Sequence, residues 1–160
     1  MDKNKMKRVA ANDPVALREK GKKHVSDGDY ESAFDFLTKA AELGDVDAHG
    51  LLSILYREGQ GVEKDEKKET YHEETAAIGG HPGARCSLAC EEGRNGRFER
   101  AVKHFIIAAK LGYDDSIKAL KVGYAAGEVS KEDFAAALRA HQAAVDATKS
   151  AQREAAEKWK

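Results

Sequence analysis

Two cysteines and six histidines hold most of the reactive chemistry in this 160-residue chain. Cys86 and Cys90 stand four apart, which puts both on one face of a helix. His81 lies just before them. Two thiolates and an imidazole would make three of the four ligands of a tetrahedral zinc site. No fourth ligand stands nearby in sequence, and structural zinc sites draw on closely spaced cysteines in loops. Small helical cysteines commonly pack, so the pair is read as metal-free. One helical turn also separates the two beyond easy disulfide reach. A thiol beside a histidine base would be a nucleophile. His49, His72, His81 and His104 are the available bases, yet no spacing fixes one beside a cysteine. His72 and His104 instead sit at equivalent places relative to the Ala-Ala pairs at Ala76 and Ala108, where Phe36 stands before Ala40. A thiol enzyme using Cys86 or Cys90 is the distant alternative, and the chain is read as non-enzymatic.

Other chemistries find less support. There is no phosphate-binding loop, and no glycine-rich fingerprint follows a strand, so no cofactor is expected. Net charge is −1, which gives no general attraction to nucleic acid or to a membrane. No apolar run approaches the roughly 18–20 residues needed to span a bilayer. With 41% apolar and 34% charged residues, the composition is that of a charge-dressed helical protein of the cytosol or nucleus.

The elements that must position these residues repeat along the chain. Ala40-Ala41, Ala76-Ala77 and Ala108-Ala109 lie 36 and then 32 residues apart, and each pair is soon followed by glycine. Ala16, Ala48, Ala84 and Ser116 mark the openings, spaced 32, 36 and 32. The longer interval holds an insertion around Gly59-Gln60-Gly61-Val62. A period of this size marks a helical solenoid. Within Ala48–Gly80, apolar residues at Leu51, Leu52, Leu55 and Tyr56 recur at helical spacing. Gly59 and Gly61 end that helix, and Asp65 caps the next. The same punctuation predicts helices from Pro14 to about Ser26, Tyr30 to Leu43, and Asp45 to Glu58. Others follow from Asp65 to Ile78, from Pro82 to near Asn95, and from Arg97 to Leu111. A seventh is capped by Asp114, and the last, capped by Ser130, runs to about Lys158.

Ala48, Leu52, Tyr56, Gly59, Gly61, Val62, Asp65, Ala76, Ala77 and Gly80 together resemble a Sel1-like repeat, a relative of the tetratricopeptide repeat. The resemblance covers roughly residues 14–140. It implies an all-α, right-handed solenoid of antiparallel helix pairs, with repeats at about 14–44, 45–80, 81–112 and 113–145. A flexible basic leader (1–12) would precede them, and a long capping helix with a charged extension (146–160) would follow. In this fold the first helix of each repeat lines a groove. The resemblance places Arg18, Lys22 and Val25 there, then Gly50, Ile54 and Arg57, then Cys86, Cys90 and Arg94, then Lys118, Val122 and Ala125. Five are basic and none acidic, so the expected ligand is an acidic peptide segment of a protein partner. The implied function is a scaffold or adaptor. The phrasing around GGHPGAR and GRFERAVKHFIIAAKLGYDDSIKAL is also similar to repeats that follow a RING-type finger. The alternative is therefore the substrate-recruiting arm of such a ubiquitin ligase, its finger lying outside this chain.

Four residues conflict with a core register. Lys20 stands where Leu52, Leu88 and Leu120 stand, and Glu69 stands where Ala33 and Ala101 do. Glu73 matches Leu37 and Phe105, while Glu92 matches Tyr56 and Tyr124. A buried, unpaired charge is costly. Glu73→Leu and Glu92→Tyr are therefore expected to stabilise the protein.

Overall fold

The structure is a computed structural model that describes residues 2–158, with Ala10 as backbone only. Among the described residues it holds nine helices and no strand. They are α1 (Lys3–Ala10), α2 (Pro14–Ser26), α3 (Tyr30–Glu42), α4 (Val46–Glu58), α5 (Glu66–Ile78), α6 (Pro82–Arg94), α7 (Phe98–Lys110), α8 (Asp114–Ala125) and α9 (Lys131–Glu157). Short glycine-bearing turns join the members of each pair, as antiparallel helix hairpins require. The fold is all-α and built from helical repeats. The chain divides into two compact units, residues 1–84 and 85–160.

In the first unit, α2 packs on α3, α3 on α4, and α4 on α5. Leu17, Leu37, Leu52 and Leu55 are buried among Ala40, Ala41 and Ala48. The alanine pairs keep their place because helix axes can approach closely only where side chains are small. Gly21 carries this furthest: a Cβ there would lie 2.7 Å from the Leu37 side chain. Capping sets the helix starts. Asp13, Asp29, Asp45 and Asp65 each accept a backbone N–H from the first turn of α2, α3, α4 and α5. The insertion after α4 is anchored at Gly61. Its φ is +70°, and a Cβ there would meet the Tyr30 carbonyl oxygen at 2.2 Å.

The second unit packs α7, α8 and α9 together around Ala109, Leu120, Val129 and Ala137. Phe105, Ile106, Ile117 and Phe134 close over that core. Ser116, fully buried, holds the place of Ala16 and Ala48, because its hydroxyl donates to the Tyr113 carbonyl. His141 on α9 bonds Asp114 on α8 at 2.8 Å.

Several expectations need correction. The stretch read as a flexible leader is helical from Lys3 to Ala10. Arg8 pairs with Asp13, and Val9 packs against the first core. Met1, at its start, and Trp159 and Lys160, at the end of the charged extension, lie outside the described residues. Asp114 does not cap α8 but opens it, with Tyr113 at the cap position. Lys20 stays out of the core by laying its ammonium 4.2 Å from the Phe36 ring centroid. Glu92 is no orphan, since it ion-pairs with Arg97 and Arg100. Glu73 is buried and Glu69 half-buried.

Candidate partner-binding faces of the repeats

The first helices of the two N-terminal repeats, α2 and α4, share a face. Arg18 sits one turn inside α2, and its guanidinium crosses to the start of α4. One Nη donates to Asp45 at 2.9 Å and to Asp47 at 2.8 Å, and Nε reaches Glu19 at 3.4 Å. Asp45 is buried and caps α4 at the same time, accepting the Ala48 amide at 2.8 Å. Burial works against the Arg18 charge, and the two aspartates more than offset it, so its pKa is raised. One turn on, Lys22 pairs with Glu19 at 3.3 Å and stays half exposed.

Arg18 and Lys22 border a concavity of about 340 Å³ together with Asp47, Leu51, His81 and Pro82. His81 caps α6: its Nδ1 accepts the Ala84 amide at 3.0 Å. That leaves its proton on Nε2, 3.8 Å from Asp47. Gly50 lies under the His81 ring at the edge of the concavity, since a Cβ there would sit 3.4 Å from that ring, in van der Waals contact. Along the same side of α4, Ile54 is 41% exposed and Arg57 pairs with its neighbour Glu58 at 3.2 Å.

The structure thus brings Arg18, Lys22 and Gly50 together and continues their stripe through Ile54 and Arg57. It corrects the charge of the face. Asp45, Asp47 and Glu19 neutralise the cations at its N-terminal end, so the face is mixed in sign and not purely basic. Val25 packs against the core and does not line the face. Sequence reasoning missed Asp47, Leu51, His81 and Pro82. Asp47 was within reach, because it lies three residues before Gly50 and seven before Ile54 on the same helical stripe.

The second unit carries the remaining residues. Cys90 and Val122 line an apolar hollow of about 180 Å³ with Phe98, Val102, Phe105, Leu120 and Val129. Arg94 and Lys118 are exposed, Lys118 paired with Asp115 at 2.7 Å. Cys86 is half-buried, and burial pushes its thiol up to about 11, so it stays protonated at neutral pH. A protonated thiol is a poor nucleophile. Among the described residues, no three metal-ligating side chains converge, and no helix is long and apolar enough to cross a membrane.

The geometry agrees with what comparison finds. The Sel1 repeat family matches residues 17–45, 46–68 and 86–113, together half of the chain. A Sel1 repeat protein from Oxalobacter formigenes is similar in structure, with a TM-score of 0.72 and 28% identity over 89% of this chain. A protective antigen of uropathogenic Escherichia coli strains, described as displaying an SLR fold, superposes with a TM-score of 0.69 and 24% identity, also over 89% of this chain. The chain spans 62% of the length of the first of these structures and 32% of the second. No curated protein matches. Repeats, buried alanine pairs and family match coincide, and the chain belongs to the Sel1 repeat family.

Proposed function

We propose that this chain is a scaffold that binds a protein partner along the first-helix face of its N-terminal repeats. Sel1 repeat proteins are generally scaffolds for protein interaction and typically not enzymes. The observation that carries the assignment to this face is the concavity between α2 and α4, bordered by Arg18, Lys22, Asp47, Leu51 and His81. Exposed Ile54 adds an apolar contact beside it. The ligand is an extended peptide segment. Lys22 and Arg57 favour an acidic residue within it, while Asp47 beside the concavity favours a donor group next to that residue. No feature of the geometry favours the ligase-arm alternative.

A peptide-library selection at low and at physiological salt tests this, run on the parent and on a Lys22→Glu/Arg57→Glu double variant. The parent should select peptides with an acidic residue, bound more weakly at the higher salt. The double variant should lose that acidic preference. Both cations are about half exposed, so the loss should be modest, about 1 kcal/mol or less for each. Failure to select any peptide, or selection of the same set with equal affinity by the double variant, would overturn the assignment.

A further inference from the structure

The other side of α4 holds a second concavity within the first unit, of about 400 Å³. Its wall comes from Phe34, Thr38 and Glu42 of α3, His49 and Tyr56 of α4, and Tyr71 and His72 of α5. The rings form one cluster. Tyr56 stacks on His72 with centroids 5.6 Å apart and planes 14° apart, and Tyr71 meets both histidines edge-on. Tyr71 itself is 59% exposed, so part of its ring faces the opening.

The polar groups in this wall mostly accept hydrogen bonds. His49 and His72 are joined through their Nδ1 atoms at 2.8 Å. Burial lowers both pKa values, that of His72 to about 4, so both rings are neutral at pH 7. Of two neutral imidazoles joined through Nδ1, the one that accepts there carries its single proton on Nε2, and the one that donates there leaves Nε2 bare. The pair therefore offers one Nε2 lone pair. The buried Thr38 hydroxyl has no protein partner. Glu42 adds an exposed carboxylate at the rim.

Aromatic faces, a bare imidazole nitrogen, an unsatisfied hydroxyl and a carboxylate suit a planar cation with several N–H donors. They do not suit an anion. A metal ion is disfavoured as well, because one Nδ1 lone pair is already spent on the other ring. The wall also attracts a cation of its own: the Lys68 ammonium lies 5.4 Å from the Tyr56 centroid, on an exposed and displaceable side chain. We propose that this pocket receives the guanidinium of an arginine presented by a protein partner. The guanidinium lies against Tyr71 and donates to the bare imidazole nitrogen, to Thr38 Oγ1 and to Glu42. A lysine ammonium, compact and strongly hydrated, cannot reach three separated acceptors at once. The proposal concerns a different side of α4 from the concavity beside Gly50, and it stands independently of that assignment.

The test titrates the full chain with acetyl-Gly-Arg-Gly-amide and follows the ring signals of His49 and His72 by NMR. The arginine peptide should shift both saturably. Its citrulline counterpart, planar but uncharged, should bind about tenfold more weakly, and the lysine counterpart about fivefold more weakly. Glu42→Gln and Tyr71→Ala, both at exposed positions, should each weaken the arginine peptide about fivefold while leaving the circular dichroism unchanged. Absence of a saturable shift, equal binding of citrulline or lysine peptide, or undiminished binding by both folded variants would overturn the proposal.

Discussion

Asp45 does two jobs with one carboxylate. It caps α4 through the Ala48 amide and holds Arg18 across from α2. Removing it exposes the helix end and leaves a largely buried guanidinium short of its most buried partner. Asp45→Ala should lower the unfolding free energy by about 2–4 kcal/mol, and Asp47→Ala, whose side chain is half exposed, by about 1 kcal/mol or less. Urea unfolding midpoints would show the difference, and equal losses would contradict the dual role. The cysteines separate by the same residue-level logic. Cys90 is exposed, whereas Cys86 is half-buried with a raised pKa. Iodoacetamide at pH 7.5 should label Cys90 well before Cys86, read by mass spectrometry of the digest. Faster labelling of Cys86 would reopen thiol chemistry at that position. Glu92 shows where sequence register misleads. Its place among Tyr56 and Tyr124 suggested a desolvated carboxylate, but Arg97 and Arg100 satisfy it. Glu92→Tyr now carries no expectation of added stability.

At the scale of elements, the helices from α2 to α9 were legible because each break has a local chemical cause. Asp-Pro opens α2, Gly59 ends α4 in the left-handed conformation, and Ser130 caps α9 through the Asp133 amide. α1 escaped notice because charge dominates it: Lys3, Lys5, Lys7 and Arg8 are half of its residues. Among its described side chains only Val9 packs against the core, and Met6 is exposed. The insertion loop was visible as a longer repeat interval, but its anchoring was not, since the contact is between backbones distant in sequence. Gly61→Ala would drive a Cβ into the Tyr30 carbonyl at a φ that L-residues disfavour. It should cost about 2–4 kcal/mol, against about 1 kcal/mol for Gly28→Ala, where φ is also positive but the space is open. Comparable unfolding midpoints for the two variants would mean that the loop is not held at Gly61.

For the molecule as a whole, the alanine pairs and the repeat period were enough to reach the fold class, because both follow directly from close helix packing. The charge of the face along α2 and α4 was not legible. It depends on which carboxylates turn toward Arg18, and those come from the next repeat, 27 and 29 residues away. The same holds for the histidine pair, whose members lie 23 residues apart. That pair gives the molecule a distinct acid response. Burial is the leading cause that depresses His72, His49 and His104 below the ordinary value of 6.5. The unfolded chain then binds protons that the folded chain refuses. Stability is complete above about pH 6.5 and falls as the pH drops toward 4, before the depressed carboxylates Asp13 and Glu19 add their own loss. Unfolding free energies at pH 7.5, 5.5 and 4.5 should decline in that order, and His72→Phe should flatten the decline. An unchanged slope in that variant would assign the acid response elsewhere.

On the proposed function, a partner lies along α2 and α4 across the concavity beside Gly50. Gly50→Leu tests it most directly. Leucine is a better helix former than glycine, Gly50 has no positive φ, and the new side chain would press on the His81 ring that borders the concavity. The variant should keep its helical circular dichroism yet bind a peptide selected on the parent at least about tenfold more weakly, a loss of about 1.4 kcal/mol or more. Undiminished binding by a folded Gly50→Leu protein would contradict the account.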